Sequence, residues 1–146
     1  MSRAVPFATT LQVRDNCLCL AVQQAARALA RRFDEALRPV GLTHGQFSLL
    51  MSLNRPQPPS LGPVAELLAM DRTTLTANLK PLEKRGLLKT TVDPADRRGR
   101  LLVLTDAGLQ LLRAALPHWE RMNEETRRLL AQTDVDALRA GLRALT

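Results

Sequence analysis

A chain of 146 residues, 45% of them hydrophobic, can bury one compact core, alone or shared with a second copy. Its 21 Lys and Arg against 14 Asp and Glu leave a net charge of +7, which favours a polyanionic partner such as nucleic acid or an acidic membrane surface. Three Phe, one Trp and no Tyr argue against base-stacking RNA modules, two cysteines against a disulfide framework, and the lack of a long apolar run or leader against a membrane, so a cytoplasmic protein is expected.

Residues 1–14, of mixed polarity and holding Pro6, read as an N-terminal arm, and residues 15–146 as a single domain. Asp15 and Asn16 offer N-caps for a helix to about residue 38, with Leu18, Val22, Ala25, Leu29, Phe33 and Leu37 at helical steps and Pro39 and Gly41 closing it. Thr43 followed by Gln46 resembles a capping box for a helix carrying Phe47, Leu50, Met51 and Leu53. Residues 54–59 hold three prolines and read as a loop. Ser60 can cap a third helix over 61–69, and Asp71 a fourth from Arg72 to about Arg85, ended by Gly86. A short helix, a tight link at Met70 and Asp71, and a second helix make a helix-turn-helix.

Residues 87–92 and 101–104 are strand-like, joined by the charged loop Asp93-Pro94-Ala95-Asp96-Arg97-Arg98-Gly99-Arg100, which reads as a hairpin. Thr105 or Asp106 caps a long helix to about residue 131 that Pro117 must kink or break, and Thr133 or Asp134 caps a last helix to Leu145. The expected fold is mainly α with a small β-hairpin wing.

At about 100° per residue, Leu75, Leu79 and Leu82 fall on one stripe of the fourth helix, with Thr73, Thr76, Ala77, Lys80 and Lys84 opposite. That small, hydroxylated, basic face suits close approach to base edges and phosphates in a major groove, although an ordinary solvated face has the same composition. Arg97, Arg98 and Arg100 crowd one turn, where like charges repel unless an anion is present, and an arginine at a loop tip suits the minor groove. Asp93 and Asp96 neutralise part of this charge in the alternative of a merely solvated turn.

The runs Met70-Asp71-Arg72-Thr73-Thr74-Leu75-Thr76, Leu82-Glu83-Lys84-Arg85-Gly86-Leu87-Leu88, the wing loop, and Leu104-Thr105-Asp106-Ala107-Gly108 resemble, in order and spacing, the multiple-antibiotic-resistance (MarR) family of dimeric winged-helix transcription factors. The resemblance implies a DNA-binding lobe over about 43–105 and dimerisation helices over about 15–38 and 106–146. It implies a homodimer on a pseudo-palindromic double-stranded operator, usually a repressor. The DNA-binding residues it implies are Arg72, Thr73, Thr74, Thr76, Ala77, Lys80, Arg97, Arg98 and Arg100. Asp71 and Asp96 would orient the wing, Asp71 by facing Arg98. Some relatives carry base-reading arginines where this chain has Ala77 and Pro81, so its operator cannot be carried over.

The inducing signal divides three ways. Cys19 stands where the family's organic-hydroperoxide sensors (OhrR) place their reactive thiol, yet the tyrosines that support that thiol are replaced by Gln23 and Phe33, and an inert cysteine is the competing reading. Cys17 is the other redox candidate; a soft-metal site at the pair ranks lower, since two residues apart on a helix they diverge by about 200°. A small aromatic ligand is the third option, with Phe33, Phe47, Met51 and Trp119 as lining or as plain core. No cofactor and no metal are expected. A thiol-dependent enzyme is the alternative class, but no base and orienter accompany the cysteines.

Overall fold

The computed structural model describes residues 4–146, so Met1, Ser2 and Arg3 of the expected arm lie outside the described residues. The elements are α1 (Phe7–Asn16), α2 (Leu18–Leu37), a 3-10 turn (Arg38–Val40), α3 (His44–Leu53), α4 (Leu61–Leu67), α5 (Arg72–Lys84), β1 (Leu88–Asp93), β2 (Asp96–Leu104), α6 (Asp106–Leu129) and α7 (Val135–Arg143). The chain forms two compact units, divided between Arg32 and Phe33.

In the first unit, α1 occupies most of the stretch expected as an arm, and Asp15 and Asn16 end that helix instead of capping the next. The Asn16 amide donates to the Gln12 carbonyl at 2.8 Å, and Cys17 breaks the helix in an extended conformation (φ −76°, ψ 107°). The sulfur of Cys17 accepts from the N–H of Leu20 at 3.4 Å, so it stands at the start of α2 where the Asp15 or Asn16 side chain was expected. No residue of α1 is buried and its apolar residues form no stripe, which is why periodicity could not reveal it.

The second unit packs around Leu37, Leu50, Val64, Leu75, Leu82 and Leu88, each at most 1% exposed. Burying a leucine contributes about 1.5–3 kcal/mol against the entropy of ordering the chain. The capping box at Thr43 is complete: its hydroxyl accepts from Gln46 N at 3.2 Å, and the Gln46 side chain accepts from Thr43 N at 3.1 Å. Asp34 adds a second anchor, since its Oδ1 accepts from the backbone N–H of His44 and meets the ring Nδ1, both at 2.7 Å.

Ser60 does not cap α4 through its side chain. Its backbone forms a bridge to Leu101, while the Pro59 carbonyl accepts from Leu102 N at 2.8 Å, so this end of the proline loop pairs with β2 at a single isolated bridge. Proline suits such an edge because its carbonyl pairs while its missing N–H leaves no orphan donor. At the other end of the helix-turn-helix, α5 closes at Gly86 (φ +73°), a left-handed position that glycine adopts without the Cβ penalty. Arg85 reaches back to donate to the Gly41 carbonyl at 3.0 Å.

α6 runs unbroken through Pro117, so of the expected kink or break the break does not occur, and α5 likewise runs through Pro81. Each proline deprives one carbonyl, that of Arg113 or Ala77, of its intrahelical partner, while the bonds on either side hold the turn together. Thr105 caps α6 and joins it to the end of α5. Its hydroxyl accepts from Gly108 N at 3.1 Å and donates to the Gly86 carbonyl at 2.7 Å, and its N–H donates to Leu87 O at 3.1 Å. α7 is capped by Asp134 and buries none of its residues within the chain.

Candidate nucleic-acid interface

Over residues 71–100 the chain carries eight basic and four acidic side chains, the sequence's densest concentration of positive charge. α5 supplies one half of this surface. Leu75 (0%), Leu79 (6%) and Leu82 (0%) are buried, which turns Thr73, Thr76, Ala77, Lys80 and Lys84 to solvent.

The hydroxyls on this helix are not equivalent. Thr74 Oγ1 donates to Asp71 Oδ2 at 2.8 Å and Thr76 Oγ1 to the Arg72 carbonyl at 2.8 Å, so both retain only acceptor capacity towards a base or phosphate. Thr73 makes no side-chain hydrogen bond among the described residues and keeps its donor. Arg72 lies back over α4, its Nη2 close enough to Gly62 that a methyl group there would stand 3.1 Å from it. Asn78, which sequence reasoning passed over, is exposed on the flank of α5 with its amide against Met70 Sδ at 3.5 Å. An exposed Asn on a basic helix face is the signal that was available, since its amide can bond adenine in two places.

The wing is tighter than the expected loop. β1 and β2 pair antiparallel from Leu88↔Leu104 to Val92↔Arg100, then jump to Asp93↔Asp96 about a two-residue turn at Pro94 and Ala95. One step on β1 thus faces four on β2, and Arg97, Arg98 and Gly99 bulge out of the ladder. Asp93 Oδ1 accepts from Ala95 N at 2.9 Å and Asp96 Oδ1 from Arg98 N at 3.0 Å, so both carboxylates shape the tip through backbone groups. Arg100 Nη1 donates to the Arg97 and Gly99 carbonyls at 3.2 and 3.1 Å. The guanidinium groups of Arg97 and Arg98 have no partner among the described residues.

The expected Asp71–Arg98 link is not formed. Asp71 Oδ1 accepts from Thr74 N at 2.7 Å and its other oxygen from the Thr74 hydroxyl, so the carboxylate is committed to the helix end. These two donors hold its carboxyl below the usual carboxylate range, the backbone N–H contributing most. Asp34 is lowered likewise, first by the His44 N–H and then by its ring. A depressed folded-state pKa gives stability that is present above the unfolded value and lost as pH falls through the folded one. The urea midpoint is therefore expected to drop as pH is lowered from about 5 to 3, with a shallower acid limb in Asp71→Asn, whose amide still caps but does not titrate.

Of the signal candidates, Cys19 is exposed and accepts from Gln23 Nε2 at 3.1 Å; Cys17 is half-buried and lies outside the helix that was expected to hold both. Phe47, Met51 and Trp119 line a cleft of about 360 Å³ with Ser48, Ser52, Leu67 and Leu116, and Phe33 is absent from it. The Phe47 and Trp119 rings stack with centroids 6.3 Å apart.

The sequence pattern of the MarR family matches residues 42–99, from the start of the α3 cap through the wing bulge. TtmR, a helix-turn-helix transcriptional regulator of Methylorubrum extorquens, is 35% identical over 73% of this chain, and the match spans 56% of TtmR's own length. The organic hydroperoxide resistance transcriptional regulator of Bacillus subtilis is 28% identical over 70% of the chain and 69% of its own length. Among solved structures, the repressor CouR bound to a 23-mer DNA duplex superposes with a TM-score of 0.81 at 31% identity, covering 91% of this chain and 94% of CouR. CouR bound to p-coumaroyl-CoA superposes at 0.80 with 29% identity, covering 91% and 94% of the two chains.

Proposed function

Because this chain belongs to the MarR family of transcriptional regulators, we propose that it is a dimeric repressor that binds a pseudo-palindromic operator in double-stranded DNA. The observation that carries the reading is the pair of uncommitted guanidinium groups, Arg97 and Arg98, projected by the wing bulge beside the exposed basic face of α5. α5 enters the major groove, where Thr73, Ala77 and Lys80 meet bases and phosphates with Thr74 and Thr76 as acceptors. The wing arginines enter the minor groove. Asp96 orients the wing tip, and Asp71 positions the start of α5.

The DNA-binding lobe spans about 43–105. Leu129, Leu138, Leu142 and Leu145 are 39–63% exposed on α6, α7 and the C-terminal end, an apolar surface that a second copy would cover. Two copies set two recognition helices about one DNA turn apart. No helix among the described residues is long and apolar enough to cross a membrane, in keeping with work at DNA in the cytoplasm. The cleft at Phe47 and Trp119 is of a size to take a small aromatic effector that releases DNA. A second release route, oxidation of a thiol, is favoured by the exposed Cys19 and by the hydroperoxide regulator among the relatives.

A gel shift against the chain's own promoter region is expected to show a specific complex that weakens at least tenfold between about 50 and 200 mM salt. Absence of a specific shift overturns the proposal. Hydroperoxide is expected to release the parent but not Cys19→Ser; equal behaviour of the two leaves the cleft as the route of control.

A further inference from the structure

Glu83 is exposed near the end of α5, has no ion pair among the described residues, and projects no positive charge towards a polyanion. Its carboxylate Oε1 accepts from the backbone N–H of Thr90 on β1 at 3.2 Å. The pairing of the hairpin explains why that N–H is available. Leu102 faces Thr90 across the ladder, but Leu102 N donates to the Pro59 carbonyl at 2.8 Å, on the side of β2 away from β1. Thr90↔Leu102 is therefore a non-hydrogen-bonded pair, and Thr90 N points to the outer edge of β1, which no strand covers among the described residues.

We infer that Glu83 is the residue that sets the wing's angle against the recognition helix, and hence a positioning residue for DNA binding through Arg97 and Arg98. This inference rests on the reading of the chain as a DNA-binding regulator. Two bonds join the hairpin to the end of α5 at its base, Thr105 to Gly86 and to Leu87, and the Pro59 carbonyl and the Ser60–Leu101 bridge hold β2 at the level of Thr90, which leaves the outer edge of β1 and the tip beyond it to swing about that level. Glu83 adds a tie on the opposite strand, from the outer edge of β1 directly to α5, which stops that swing. At about 3.3 Å per residue the tip lies some 13 Å beyond Thr90, so a rotation of about 10° would carry it roughly 2 Å, more than an arginine contact tolerates. The expected Asp71–Arg98 tie would have linked the helix start to the wing tip; the observed tie links the helix end to the wing's edge and leaves Arg98 free.

The competing role for Glu83 is electrostatic, since an acidic group near DNA weakens binding. The two roles predict opposite signs. Glu83→Ala removes both charge and acceptor and is expected to weaken operator binding about tenfold, whereas Glu83→Gln keeps an acceptor oxygen and is expected to bind as the parent or slightly tighter. If both variants bind tighter, the role is electrostatic and the inference fails. In an Arg98→Ala background Glu83→Ala is expected to cost less than about twofold; an undiminished tenfold loss there also overturns it. Hydrogen exchange at the Thr90 amide gives a readout without DNA: protected in the parent and Glu83→Gln, faster in Glu83→Ala, with unchanged exchange overturning the inference. Failure of the parent itself to shift DNA strikes the proposed function and leaves the exchange result to stand by itself.

Discussion

Gly108→Ala is expected to lower the melting temperature by about 10 °C, a loss of roughly 3 kcal/mol or more. Gly108 is buried in the first turn of α6, and a Cβ built on it would overlap the Leu87 carbonyl oxygen, with Leu87 C at 3.1 Å and Leu104 Cδ1 at 2.7 Å. The leucine methyl can move aside. The carbonyl cannot, because it is already fixed as the acceptor of Thr105 N. Helix propensity acts in the opposite direction, favouring alanine by about 1 kcal/mol, and is outweighed by the overlap. Gly141→Ala in α7 isolates the propensity effect, since nothing lies within 4 Å of the new methyl. It is expected to raise stability slightly. Thermal unfolding of the two variants with opposite signs supports the clash; a neutral Gly108→Ala would mean that α6 shifts without cost.

Arg98→Ala is expected to weaken operator binding by about ten- to a hundredfold and to reduce the slope of log affinity against log salt by about one. The Arg98 guanidinium has no partner among the described residues, so the whole effect is expected to fall on the complex. Arg100→Ala is expected to cost less, because Arg100 already donates to the Arg97 and Gly99 carbonyls and must give up those bonds to meet a phosphate. Arg121→Ala, an exposed charge on α6 outside the candidate interface, is expected to change affinity less than about twofold. Equal losses at Arg98 and Arg121, measured by fluorescence anisotropy at two salt concentrations, would remove the wing from the interface.

Local patterns in the sequence reveal the elements whose logic is local. The Leu75, Leu79 and Leu82 stripe, the Thr43 and Gln46 box and the closing Gly86 each depend on residues a turn apart, and the structure holds them as those patterns imply. Legibility ends where a bond joins distant segments. Glu83 meets a backbone N–H that is free because the pairing register of β1 with β2 turns it to the hairpin's outer edge, a condition set by strands distant from Glu83 in the chain. Asp71 could be read as a cap, but not that capping would occupy both its oxygens. α1 escapes because an exposed helix without an apolar face leaves no periodic trace, and α6 shows that a proline's cost can be absorbed when 24 residues of helix surround it.

The bulge in β2 has a consequence for how such a protein changes over time. Without Arg97, Arg98 and Gly99, Asp96 would be followed directly by Arg100, and the ladder from Leu88 to Asp93 would pair without interruption. The three residues are an insert in an otherwise complete hairpin. Their number and chemistry can drift from one descendant to another while the strands, the turn and the buried leucines beneath stay as they are. On the proposed reading, changes at this short tip would alter the minor-groove contacts and leave both the scaffold and the α5 face as they are.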